Sequence, residues 1–275
     1  MKKTVYSITG EKLNEVNLPN QFNEEYHPDL IKRAVLAVQA NKRQPYGAHP
    51  EAGKRYSAKI SRRRRDYKTS YGHGISRVPR KTIWRRGMQF GWIGAFAPGT
   101  VGGRRAHPPK AEKVWEQKIN FRESRKAIRS ALGAVLDETL VRSRGHIIPD
   151  NYPFIVESKL ESLQKTKDAK NALDKLGFKK ELERVAEKKL RAGKGKIRGR
   201  KYRARIGPLI VVSSDCPLSK SAGNIPGTDI INIKNINAEL LAPGTMPGRL
   251  TIFTDKALEI LEKENLFANK RKNKK

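Results

Sequence analysis

GPLIVVSS, residues 207–214, is a continuous apolar run rich in β-branched side chains and closed by two serines. A strand that met water on one face would alternate apolar and polar residues. An unbroken run suits a strand buried on both faces, as in a parallel sheet covered by helices on each side. Outward from it, the last third of the chain alternates in type. TDIINI (228–233) reads as a second strand, NAELLAP (237–243) as a short helix and RLTIFT (249–254) as a third strand. TDKALEILEKENLF (254–267) follows as a helix with Thr254 at its cap. Strand–helix alternation implies right-handed crossovers and an α/β layer fold. The expected architecture is a three-layer domain, a small and mostly parallel sheet flanked by helices.

Toward the N-terminus, TVYSITG (4–10) alternates and ends in Gly10, predicting a strand and a turn. A helix is predicted near 29–42, with Leu30, Ile31, Ala34, Val35 and Val38 as one stripe behind Pro28 and Asp29. A second is predicted over about 121–143. Asn120 would cap it with Glu123 as return partner, Phe121, Ile128, Leu132, Val135, Leu136 and Leu140 would face one way, and Gly145 would stop it. YPFIVES (152–158) is a strand candidate. Thr166 would cap a helix through Leu176 that ends at Gly177, and Leu182, Val185 and Leu190 mark another that ends at Gly193. No internal repeat is visible.

The chain has 275 residues, enough for one large domain or two modest ones. It carries 59 Lys plus Arg against 27 Asp plus Glu, a net charge of +32. Such a surplus repels itself and weakens the compact state; a polyanion relieves it, and nucleic acid is the usual one. The surplus is concentrated. Residues 45–110 hold 16 basic and 2 acidic side chains, 188–205 hold 10 basic and no acid, and 270–275 add 5 more. The rest is close to neutral. The division expected is a globular body over 1–44 and 111–269, a long basic loop over 45–110 and a basic tail over 270–275.

Residues 45–110 separate two predicted helices. A connection of that length inside a compact domain is generally functional or disordered. Its many glycines and prolines argue against a packed subdomain, and its aromatics argue against simple disorder. Tyr46, Tyr56, Tyr67, Tyr71, Trp84, Phe90, Trp92 and Phe96 interleave with the cations. This is the composition of a segment that orders on RNA. Arginine forks two hydrogen bonds to phosphate, and rings stack on unpaired bases at roughly 1–3 kcal/mol per base. The candidate contacts are Lys54, Arg55, Lys59, Arg62, Arg63, Arg64, Arg65, Tyr67, Lys68, Tyr71, His73, Arg77, Arg80, Lys81, Trp84, Arg85, Arg86, Trp92, Arg104, Arg105 and His107. The second run adds Lys188, Lys189, Arg191, Lys194, Lys196, Arg198, Arg200, Lys201, Arg203 and Arg205, interrupted by Gly193, Gly195 and Gly199. The competing readings are a flexible cation-rich linker and a solvated charge run.

Catalytic and cofactor signatures are missing. The phosphate-cradling pattern G-x-x-x-x-G-K-[ST] does not occur. GHGISR (72–77) begins like a dinucleotide fingerprint but ends in Arg77, with no strand before it. Cys216 is the sole cysteine, which excludes an internal disulfide and a cysteine zinc cluster and fits a reducing compartment. It reads as a small, partly buried apolar side chain. Histidines 27, 49, 73, 107 and 146 are scattered. Ser213, Ser214 and Asp215 after the buried strand imitate a catalytic corner, but spacing names no nucleophile, base and orienter. No enzyme activity, cofactor, metal or small-molecule substrate is expected. MKKTVYSITG has no apolar run, so no signal peptide is expected, and no stretch approaches the roughly 20 apolar residues of a membrane span. The expected setting is the cytosol.

GHGISRVPRKTIWRRG, AFAPGTVGGRRAHPPK, INFRESRKAIRSALGAVL, RAGKGKIRGRKYRARIGPLIVV and the final TDIINIKNINAELLAPGTMPGRLTIFTDKALEIL closely resemble archaeal members of the large-subunit ribosomal protein L-four family. The resemblance covers nearly the whole chain, in the family's order; the Asn/Lys-rich tail departs from it. It implies a primary binder of the large ribosomal RNA that acts early in large-subunit assembly. The loop would be an extended, RNA-penetrating one, passing between RNA helices to the wall of the polypeptide exit tunnel near its constriction, with the globular domain on the subunit's outer surface. Carried over by motif, Arg80, Lys81, Trp84, Arg85 and Arg86 are the tunnel-proximal residues, and GGRRAHPP (102–109) belongs to the returning arm. The implied partners are large-subunit ribosomal RNA, neighbouring ribosomal proteins and the nascent polypeptide, in the cytoplasm. The alternative is a free RNA chaperone or messenger-RNA-binding regulator. A third reading, an RNA-processing enzyme, would need Ser213, Asp215 and Asp229 in one site.

Overall fold

The structure is a computed structural model that describes residues 2–150, 152 and 154–268. The basic tail 270–275 lies outside the described residues. The chain divides into two compact units, Met1–Lys42 with Glu116–Lys275, and Arg43–Trp115.

In chain order, the strands β1 (Lys2–Tyr6) and β2 (Lys12–Asn17) precede helix α1 (Pro28–Asn41). Strands β3 (Arg80–Arg86) and β4 (Gln89–Gly94) belong to the second unit. Then come α2 (Phe121–Leu136), α3 (Glu138–Ser143), β5 (Phe154–Val156), α4 (Thr166–Lys175) and α5 (Lys179–Ala186). The short pair β6 (Lys189–Leu190) and β7 (Tyr202–Arg203) leads into β8 (Leu209–Val212) and α6 (Pro217–Ser221). The chain continues through β9 (Asp229–Asn232), α7 (Ala238–Leu241), β10 (Thr251–Thr254) and α8 (Asp255–Lys263).

The first unit is built on a six-stranded sheet in the order β2-β1-β5-β10-β8-β9. Five strands are parallel; β2 pairs antiparallel at the edge. The run at 207–214 explains itself here. Leu209 and Val211 join Val5, Ile155 and Phe253 in one core, against Ile31 and Val35 of α1, Leu132 and Val135 of α2, and Leu258 of α8. Ile210 and Val212 join Tyr6, Phe154, Val156 and Ile252 in a second core, against Leu173 of α4, Leu182 of α5 and Leu218 of α6. Alternate side chains enter opposite layers and both layers are apolar, so Leu209–Val212 is apolar on both faces. Each fully buried aliphatic side chain contributes on the order of 1.5–3 kcal/mol.

The structure differs from sequence expectation at several places, each for a local reason. The helix expected over 121–143 breaks at Asp137, which leaves helical geometry at φ −81°, ψ 106°. Its Oδ1 accepts from Thr139 N at 2.9 Å and Thr139 Oγ1 at 2.6 Å, capping a new helix. The break lets Val135 stay in one core while Val141 enters the other. Asn120 makes no side-chain cap bond, and Phe121 is exposed at the helix start instead of joining the stripe. Thr166 is the first helical residue of α4, not its cap. Leu190 is not helical: α5 ends at Ala186, and Leu190 stands exposed in β6 with no core to enter. Strand β2 was not legible, because its residues face solvent and carry no apolar alternation. Thr254 does cap α8, its Oγ1 accepting from Ala257 N at 3.4 Å.

Candidate nucleic-acid interface

The second unit is organised by the antiparallel hairpin β3–β4. Arg80, Lys81 and Thr82 face Gly94, Ile93 and Trp92; the register then slips at Ile83, and Trp84, Arg85 and Arg86 face Gly91, Phe90 and Gln89. Gly87 makes the turn with φ 56°. Gly91 leaves room for the ring opposite: a Cβ there would lie 2.1 Å from Trp84 Nε1. The expectation of a segment too glycine-rich to pack is therefore only half met. Glycine at the crossing points allows a hairpin to close.

The rings collect beside this hairpin. Tyr67 and Phe90 meet edge-on at 5.4 Å, and Phe90 and Trp92 at 5.2 Å. The cations use the rings and main-chain oxygens as partners. Arg80 lies 5.2 Å over Trp92 and donates to Ser76 O at 2.5 Å and Val78 O at 3.3 Å. Lys68 sits 5.1 Å over Phe90 and donates to Thr82 Oγ1 at 2.8 Å. Lys81 lies 3.8 Å over Tyr56, and Arg77 4.7 Å over Tyr71. Asp66 accepts from Ser61 Oγ at 2.6 Å and neutralises no arginine. Among the described residues, no ion pair involves a cation of Arg43–Trp115; pairs such as Arg33–Glu123 and Lys234–Glu264 belong to the first unit.

The candidates thus fall into two groups. Lys68, Tyr71, Arg80, Lys81, Trp92 and Arg104 are half-buried and shape the unit. Lys54, Arg55, Lys59, Arg62, Arg63, Arg64, Arg65, Tyr67, His73, Arg77, Trp84, Arg85, Arg86, Arg105 and His107 are exposed. At the hairpin end the apolar side chains Ile83, Trp84 and Met88 also stand in solvent.

The run 188–205 forms a second basic hairpin. Lys189 faces Arg203 and Leu190 faces Tyr202; Arg191 N donates to Lys201 O at 2.9 Å and Arg191 Nε to Arg200 O at 3.1 Å. Lys188, Lys189, Arg191, Lys194, Lys196, Arg198, Arg200, Lys201 and Arg203 are all exposed. Arg205 is engaged with the body: it pairs with Glu187 at 3.0 Å and donates to Arg184 O at 3.1 Å.

A buried cluster holds the base of this hairpin. Glu181, at 0 % exposure, accepts from His146 Nδ1 at 2.7 Å, Ile147 N at 3.0 Å, and Arg184 Nε and Nη2 at 2.7 Å each. Arg184 Nη2 also donates to Ile206 O at 2.8 Å. Burial alone would raise the Glu181 pKa, but the hydrogen bonds from Arg184, His146 and Ile147 outweigh it and hold it below the ordinary value. Burial pushes His146 down, against the raising effect of Glu181, so the imidazole is neutral with its Nδ1–H donating.

The three residues of the enzymatic reading do not meet. Ser213 follows β8 and donates from N and Oγ to Glu161, at 2.8 and 2.6 Å. Asp229 begins β9 opposite Leu209 and pairs with buried Arg249 at 2.5 Å. The two lie four residues apart along parallel strands, roughly 13 Å at 3.3 Å per residue. Among the described residues no group of histidine, cysteine and carboxylate side chains is placed to hold a metal ion, and no helix is long and apolar enough to cross a membrane.

Sequence reading passed over Arg43, Lys113 and Trp115, which lie at or beyond the edges of the loop as drawn. Arg43 lies 3.7 Å over the Trp115 ring and Lys113 Nζ 4.3 Å over it. Their signal was the tryptophan itself, two residues after Lys113.

Residues 16–264 match the model of a family described as the ribosomal protein L4/L1 family. The chain is 53% identical over 268 residues to the large ribosomal subunit protein uL4 of Nanoarchaeum equitans, covering 97% of this chain and 100% of that protein. It is 45% identical over 262 residues to the protein of the same name from Archaeoglobus fulgidus, covering 95% and 98%. It is also 45% identical over 264 residues to that of Methanocaldococcus jannaschii, again covering 95% and 98%.

Proposed function

The chain belongs to the ribosomal protein L4/L1 family, and from that premise we propose that it is a structural, non-catalytic constituent of the large ribosomal subunit in the cytoplasm. In this reading it binds large-subunit ribosomal RNA through Arg43–Trp115 and the 188–205 hairpin, beside neighbouring ribosomal proteins, and acts early in subunit assembly. One observation carries it: two hairpins present cations that almost no carboxylate neutralises, those of Arg43–Trp115 interleaved with rings, whereas ion pairs such as Arg33–Glu123 and Lys234–Glu264 lie outside both hairpins. Phosphates replace the mutual repulsion of these cations and release condensed counterions. The exposed Ile83, Trp84 and Met88 favour a further role for the β3–β4 tip, lining the exit tunnel beside the nascent polypeptide, since RNA phosphate gives apolar side chains no reason to be there.

The test is affinity for large-subunit ribosomal RNA as a function of salt. Six to ten phosphate contacts would cost about 10³–10⁵ in affinity between 50 and 200 mM salt. A nearly flat dependence refutes RNA binding by these hairpins. Sedimentation with free protein rather than with large subunits would favour the chaperone or regulator instead.

A further inference from the structure

The two ends of the second unit close on each other around a cleft. Ala48 N donates to Pro109 O at 3.0 Å, and a Cβ on Gly47 would lie 2.9 Å from Ala111 N, so only glycine permits the approach. The cleft measures about 770 Å³, and Tyr46, Arg105, His107, Pro108, Lys113 and Trp115 are among its walls. Tyr46 and Trp115 are stacked at 5.7 Å with an interplanar angle of 19°. Tyr46 is 48 % exposed, so the stack leaves ring surface open to the cleft.

We propose that this cleft takes one unpaired nucleobase of RNA, stacked on the Tyr46–Trp115 pair, with Arg43, Arg105 and Lys113 meeting the phosphates on either side. The proposal rests on the RNA-binding reading and adds a base-contacting site to it. Three observations carry it. Near-parallel rings offer the flat surface on which a base stacks. Arg43 and Lys113 pack against Trp115, which leaves Tyr46 as the open ring of the stack and sets two cations within reach of the phosphates of a nucleotide seated on it. Trp115 Nε1 is covered and without a hydrogen-bond partner among the described residues, an in-plane donor that a ribose or phosphate oxygen beside the stacked base would satisfy once the side chains covering it part. Pro45, Pro108 and Pro109 stiffen the walls, so little order is lost on binding.

The full chain, bound to large-subunit ribosomal RNA, is irradiated with short-wave ultraviolet light and digested with nuclease and trypsin. A nucleotide adduct is expected on the peptide Gln44–Lys54, which holds Tyr46, or on Val114–Lys118, which holds Trp115. Trp115→Leu and Tyr46→Leu should each weaken binding about 5- to 150-fold, the loss of one base–ring stack, with an unchanged salt slope. Trp115→Phe should bind close to the parent. Adducts confined to other peptides, or full affinity in both leucine variants, overturn the site. So does a variant whose salt slope falls by about one, because the lost contact was then to phosphate. If the parent itself shows no salt-dependent binding to this RNA, it is the RNA-binding reading that fails, which separates the two outcomes.

Discussion

Glu181→Ala removes a carboxylate at 0 % exposure that accepts four hydrogen bonds from three residues. The His146 Nδ1–H and the Ile147 N–H lose their acceptor, at about 1–3 kcal/mol for each buried donor left unpaired. Among the described residues Arg184 keeps Ile206 O as acceptor, and its side chain is 18 % exposed, so its charge is partly relieved by water. Relief of the carboxylate's own desolvation offsets part of this, and the net loss expected from breaking a buried pair is about 3–5 kcal/mol. For a body of this size each kcal/mol lowers Tm by about 2–4 °C, so a fall of roughly 6–20 °C is expected. Thermal and urea unfolding of the full chain, followed by circular dichroism, measure it, with the urea slope unchanged. A loss below about 1 kcal/mol would mean that the cluster does not hold the hairpin base. The acid limb gives a second reading. Both folded-state pKa values lie below their ordinary values of 6.5 for His146 and 4.5 for Glu181, so the unfolded chain binds more protons in each window. Stability should fall as pH drops below about 6.5 and again below about 4.5, and the lower step should shrink in Glu181→Ala.

Replacing Arg62, Arg63, Arg64 and Arg65 together by alanine should reduce the salt slope of RNA binding by up to about 3–4 without lowering Tm, because these side chains are exposed; an unchanged slope excludes them as phosphate contacts. Gly227→Ala should destabilise the body by about 3 kcal/mol or more, since φ is 68° and the new Cβ would lie 2.2 Å from Val185 Cγ1 and 2.8 Å from Arg205 O; near-parent urea unfolding would refute this. Arg249→Ala should cost about 3–5 kcal/mol in the same assay, because the side chain is 1 % exposed and holds Gly207 O, Leu240 O and Asp229. Asp229→Asn should cost less, its side chain being 57 % exposed.

The helices and parallel strands of the body were legible because their signals are local. An apolar stripe at helical spacing marks α1, and an unbroken β-branched run marks β8, whatever the rest of the chain does. The end of α2 was not legible. Asp137 ends it and caps α3, so that Val135 and Val141 enter opposite cores; in sequence that one cap residue was outweighed by the apolar stripe running on to Leu140. Strand β2 was invisible for the opposite reason: a solvent-facing edge imposes no pattern.

For the candidate interface, counting charges located both basic segments, because an unneutralised surplus of like charge is a property of composition and survives any fold. Composition could not say which cations remain free. Only the hairpin register brings Arg80 to Trp92 and Lys68 to Phe90, while Arg62–Arg65 and the end near Trp84 are left to solvent. Nor could it pair Tyr46 with Trp115, which are far apart in sequence and stack only because glycine at 47 lets the two arms touch. The sequence by itself determined where the charge lies and which segments are buried on two faces, since both follow from neighbouring residues. Tertiary structure decided which of those charges and rings are still available to a partner, since that depends on contacts between residues distant in the chain.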